Sequence, residues 1–130
     1  MVSKRILSVS YEVSLLATRH MLLKQQDHEV TSALGFTEAI AMCERAGFDL
    51  FILGHSIPMN DKLALIGRFK EHCPAPILSL DRAGEPAVDA DYHATPDNPE
   101  RLLQVVSSIL EDAPPAGAAS KGEEVPRRPP

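Results

Sequence analysis

Short apolar runs alternate with helically spaced stretches along most of the chain. Residues 5–9 form a compact apolar run, and residues 13–26 place Leu15, Leu16, Leu22 and Leu23 on one helical face. That spacing predicts a strand and then a helix. After Asp27 and His28, residues 29–32 read as a short strand. Thr37 followed by Glu38 opens a helix in which Ala39, Ile40 and Cys43 share a face, and Gly47 fits its stop. Residues 49–53 (Asp-Leu-Phe-Ile-Leu) are almost continuously apolar, the pattern of a parallel strand covered on both sides. Residues 54–61 hold Gly, Ser, Pro and Asn and predict a loop, with a helix to about residue 71 carrying Leu63, Ile66 and Phe69 or Lys70 inward.

Pro74-Ala75-Pro76 introduces a fourth strand at residues 77–80, and Tyr92-His93-Ala94 a weak fifth. Asn98, Pro99 and Glu100 form a helix start, because asparagine caps and proline fits the first helical position. Leu102, Leu103, Val106, Ile109 and Leu110 then supply its buried face. Repeated strand–helix alternation predicts an α/β fold with right-handed crossovers. Five strands at this length suit the flavodoxin-like parallel sheet in the order 2-1-3-4-5, flanked by helices. In such a sheet the functional crevice lies beyond the carboxyl ends of the first and third strands, between residues 10–12 and residues 54–58.

Length and charge narrow the function classes. At 130 residues the chain fits one domain, taken as residues 1–112, with residues 113–130 read as a disordered tail because they hold five prolines and almost no large apolar side chain. The formal charge of −5 and the absence of any long Lys or Arg block disfavour a nucleic-acid partner. No apolar run is long enough to cross a bilayer, and no signal peptide is visible, so a cytoplasmic protein is expected. Cys43 and Cys73 lie outside any metal-ligand spacing and read as reduced thiols.

Several of these fragments together resemble the response-regulator receiver domain, the CheY-like family. Lys4 to Val9 is similar to its first strand, Phe48 to Leu53 to its third, and Ile57-Pro58-Met59 to the loop that follows, while Pro96 stands where the fifth strand's turn proline belongs. The resemblance implies an acidic metal-holding pair, a phosphoacceptor aspartate, a sensing hydroxyl, a lysine and a switch aromatic. In this chain the acidic pair falls on Ser10 and Tyr11, the phosphoacceptor on Gly54, the hydroxyl on Asp81 and the lysine on Thr95. Tyr92 matches the switch aromatic, although a half-buried strand tyrosine without a switching role is the favoured reading, since nothing remains to drive the switch. Glycine has no carboxylate, so aspartyl phosphorylation at position 54 is chemically excluded. Only fourteen steps separate Asp81 from Thr95, which predicts a short or missing fourth helix.

The resulting expectation is a degenerate pseudo-receiver that is not an enzyme. It would act in two-component signalling by contact with a protein partner, a histidine kinase or another regulator, without a cofactor. The alternative is a small-ligand or anion sensor that uses the emptied crevice around Ser10, Gly54 and Thr95, and a homodimer is a further option. Glu12, His55 and Asp81 could converge at the crevice mouth, but solvated loop residues explain them as well and no metal is expected. His20, His28, His72 and His93 are assigned no role. Ser8 and Ser10 lack the elbow motif and the acid–histidine pair that a nucleophile needs.

Overall fold

Leu50–Leu53 is buried at all four positions, so helices must cover it from both sides. The computed structural model describes residues 4–45, 47–73, 75–82, 84, 88–96 and 98–112. Among these, the elements run β1 (Arg5–Ser10), α1 (Val13–Lys24), β2 (Glu29–Leu34), α2 (Phe36–Cys43), β3 (Leu50–Leu53), α3 (Met59–His72), β4 (Ile77–Leu80), β5 (Tyr92–Ala94) and α4 (Pro99–Asp112). The five strands form one parallel sheet in the order β2-β1-β3-β4-β5. The topology expected from the sequence is therefore observed. The expected tail beyond residue 112 lies outside the described residues.

Pleat alternation sorts the core into two layers. Leu7, Val9, Phe51, Leu53 and Ile77 face α2 and α3, where they meet Ala39, Cys43, Leu65, Ile66 and Phe69. Ile6, Leu50, Ile52, Leu78 and Leu80 face the other way, onto Leu23 of α1 and Leu102, Val106, Ile109 and Leu110 of α4. Phe51 and Phe69 stack with ring centroids 4.4 Å apart and tie α3 to the middle of the sheet. Asn98 caps α4 through its Oδ1, which accepts the Arg101 N–H at 3.0 Å.

Several local expectations need correction. Strand β2 runs two residues past Ser32, and α1 ends at Lys24, short of residue 26. Helix α2 begins at Phe36, one residue before Thr37, and Glu38 accepts the Leu34 N–H at 2.8 Å. Its C-cap is Glu44, so Gly47, at φ +91°, shapes the connection to β3 and does not stop the helix. In α3 the inward position expected for Leu63 is wrong: Leu63 is 49% exposed, whereas Lys62 beside it is only 2% exposed. The sequence rule placed the apolar residue inside, but the helix turns Lys62 toward the end of β4, where its ammonium has acceptors.

No described residue between β4 and β5 is helical, in agreement with the short connection. Val88 instead packs into the α2–α3 core layer, and Asp91 Oδ2 accepts the Ile77 N–H at 2.8 Å. Cys43 and Cys73 are free and buried, with Cys73 Sγ 3.6 Å from the Cys43 carbonyl, and burial pushes the Cys43 thiol up to about 12. Truncation ranks these interactions. Phe69→Ala is expected to cost about 3–5 kcal/mol and Asn98→Ala about 1 kcal/mol, read as the fall in urea midpoint at constant slope.

Candidate functional site

The carboxyl ends of β1, β3 and β4 carry polar side chains that the sheet splits between its two faces. By alternation, Gly54 continues the face of Leu50 and Ile52, toward α1, whereas Ser79 and Asp81 continue the face of Ile77, toward α3. Two separate clusters result.

On the α1 face, Arg19 is 5% exposed and lies on the same helical stripe as Leu16 and Leu23. Its guanidinium reaches the end of β3, where Nη1 stands 2.6 Å from the point a Cβ on Gly54 would occupy. Nη2 donates to His55 Nδ1 at 3.3 Å, and Nη1 has no hydrogen-bond partner among the described residues. The guanidinium thus occupies the volume of a side chain at position 54. Burial alone lowers the Arg19 pKa. His55 accepts this contact as a neutral ring, and its own pKa is lowered first by burial and then by Arg19, Arg82 and Lys62, with Glu12 opposing.

On the α3 face, Lys62 Nζ donates to the Leu80 carbonyl at 3.0 Å and to Asp81 Oδ1 at 3.4 Å. Ser79 Oγ donates to the same Oδ1 at 2.7 Å, and His93 Nδ1 to Asp81 Oδ2 at 2.6 Å. Asp81 is therefore the centre of a satisfied network in which Lys62, arriving from α3, supplies the cation.

Between the two clusters, hydroxyls link the end of β1 to the loop after β3. Ser10 Oγ donates to the Glu12 carbonyl and accepts the Glu12 N–H, so the 3.0 Å contact with Ser56 has Ser56 as donor. Ser56 Oγ in turn accepts the Tyr11 N–H at 2.9 Å. The Tyr11 hydroxyl donates to Asp61 Oδ2 at 2.9 Å, and burial followed by that carboxylate raises the phenol pKa above its ordinary 10. These contacts satisfy the entry to α1 and fasten it to the loop after β3.

Of the residues singled out from the sequence, Ser10, Tyr11, Gly54 and His55 do meet at one end of the sheet, together with Asp81 on its other face. Glu12, His55 and Asp81 do not form one site. Glu12 is exposed, Asp81 is turned toward α3, and among the described residues no group of three His, Cys, Asp or Glu side chains is placed to hold a metal. Thr95 is exposed, and Tyr92 is half-buried against the α4 core layer. Sequence reasoning missed Arg19, Ser56, Lys62 and His93. Helical spacing could have found two of them, since Arg19 falls between Leu16 and Leu23 at core positions and Lys62 precedes Leu65, Ile66 and Phe69 at the same spacing.

Known proteins share this fold. The receiver CheY4 of Vibrio cholerae, a chemotaxis response regulator, superposes with a TM-score of 0.69 at 25% identity, covering 84% of this chain and all of that one. A two-component response regulator from Clostridium difficile reaches a TM-score of 0.74 at 20% identity, covering 85% of this chain and 98% of that one. In sequence, the transcriptional regulatory protein ResD of Bacillus subtilis (strain 168) is 26% identical over 117 residues, 84% of this chain and 49% of ResD. The chain is a receiver-like domain. It spans about half the length of that curated relative, and no protein-family model matches it. No helix among the receiver-like chain's described residues is long and apolar enough to cross a membrane.

Two measurements probe the clusters. Asp81→Ala leaves Lys62 buried without its carboxylate and is expected to cost about 3 kcal/mol or more, whereas Lys62→Met leaves Asp81 with Ser79 and His93 and should cost less, as urea midpoints would report. For His55, and for His28, whose pKa burial also lowers, the folded value lies below the unfolded 6.5. The unfolded chain then binds more protons below pH 6.5, so this stability is full above that pH and is lost as the pH falls toward the folded values. Stability should decline as the pH falls below 6.5, and His55→Asn, which keeps an acceptor for Arg19, should flatten that decline.

Proposed function

We propose that this receiver-like chain works in two-component-type signalling as a phosphorylation-independent module, binding a protein partner such as a histidine kinase in the cytoplasm. The observation that carries the reading is the Arg19 guanidinium standing where a side chain on Gly54 would be. A phosphoacceptor needs a carboxylate at that point, and a metal-assisted transfer needs hard oxygen ligands beside it. Here the neighbouring positions are Ser10 and Tyr11, whose groups are committed to Ser56, Glu12 and Asp61. The cation that would neutralise a phosphoryl group is likewise absent at Thr95, while Lys62 is already engaged with Leu80 and Asp81.

What remains is a five-stranded parallel sheet whose carboxyl end is largely engaged in internal contacts. Such a scaffold supports recognition by shape and surface chemistry. ResD is by its name a transcriptional regulatory protein, and only 49% of its length is matched, so the reading takes over the signalling context alone.

Incubation of the full chain with magnesium and a small phosphodonor, followed by intact mass measurement, is expected to leave the mass unchanged. Gly54→Asp should also stay unmodified, because its carboxylate would face Arg19 without an acidic pair at positions 10 and 11. A stoichiometric phosphoryl adduct on the native chain would overturn the proposal.

A further inference from the structure

We propose that the crevice at the carboxyl end of β3 binds a small oxyanion, held by the Arg19 guanidinium between Gly54 and His55. Charged side chains that are almost fully buried are ordinarily paired, because an isolated charge is costly to remove from water. Arg19 departs from that rule. It is 5% exposed, its one hydrogen bond among the described residues goes to a neutral imidazole at 3.3 Å, and Nη1 is buried without a partner.

The nearby carboxylates are spoken for or too open. Asp81 accepts from Lys62, Ser79 and His93 on the opposite face of the sheet, Asp61 accepts from Tyr11, and Glu12 is exposed. Lys62 and Arg82 both act electrostatically on His55, opposed by Glu12. Ser8 Oγ is a second buried polar atom without a partner among the described residues, and pleat alternation puts it on the same sheet face as Gly54.

The ligand class follows from the donor. A planar guanidinium whose Nη1 lacks an acceptor matches the paired oxygens of a phosphate or a carboxylate, and because Arg19 already fills the space beside Gly54, only a group as small as the His55 ring can be taken. The anion enters by taking the place of the His55 ring on Arg19. This site stands on Arg19 and Gly54 alone and is independent of how the chain meets a protein partner.

The test uses the full chain, titrated with inorganic phosphate and separately with acetate at ionic strength held constant with chloride. Saturable 1:1 shifts of the Gly54 and His55 amides and the Arg19 Nε–H in NMR are expected, with a rise in Tm through linkage. Arg19→Gln should weaken binding roughly tenfold or more. Gly54→Asp, which supplies an internal carboxylate, should do the same and decides the matter if the Arg19 variant fails to fold. Saturation by phosphate in preference to acetate, or the reverse, supports the site and tells which oxyanion it takes. Saturation by neither anion, or an affinity unchanged in the folded variants, overturns it.

Discussion

Burial of β3 on both faces is the constraint from which the remaining structure follows. Leu50–Leu53 cannot meet water on either side, so one pair of helices packs on each face and parallel neighbours satisfy its backbone at both edges. Polar side chains can then gather only where the strands end. The loops at the carboxyl ends, especially residues 54–58 and 81–82, are where the fold permits chemistry. Phe51 and Phe69 fix α3 against the strand, and that placement delivers Lys62 to the end of β4.

The same constraint explains how two cations come to be buried near one crevice without meeting. Arg19 and Lys62 each sit on the apolar stripe of a helix, and each uses its aliphatic stem as core while the charged head moves toward the sheet end. Because successive residues point to opposite faces, Arg19 finds Gly54 and Lys62 finds Asp81. Their situations differ in one respect. Lys62 has a carboxylate and a carbonyl, whereas Arg19 has an imidazole and open donor capacity.

Much of the architecture was legible because it depends on patterns that a sequence displays. The apolar run at residues 50–53, the Asn98 cap and the spacing of Leu102, Val106 and Ile109 each state a local requirement that tertiary packing did not override. Lys62 and Arg19 were illegible for the opposite reason. A rule that counts charged residues as outside assigns Leu63 to the core and passes over Arg19, and only the position of an acceptor or an empty volume across the fold reverses that choice. Ser56 was hidden in a loop, where its value comes from Ser10 and Tyr11, 46 and 45 residues earlier in the chain. His93 carried no signal beyond its strand, since its partner Asp81 lies one strand away.

The Asp81 cluster also bears on how a partner would be met. With Oδ1 accepting from Lys62 and Ser79 and Oδ2 accepting from His93, the carboxylate ties α3, β4 and β5 together before anything docks. A protein that must first populate a rare conformer binds with its intrinsic affinity reduced by the fraction of competent molecules. A partner that docked beside β4 and β5 would meet a surface already pinned in this way, and its affinity would then follow from the contacts made.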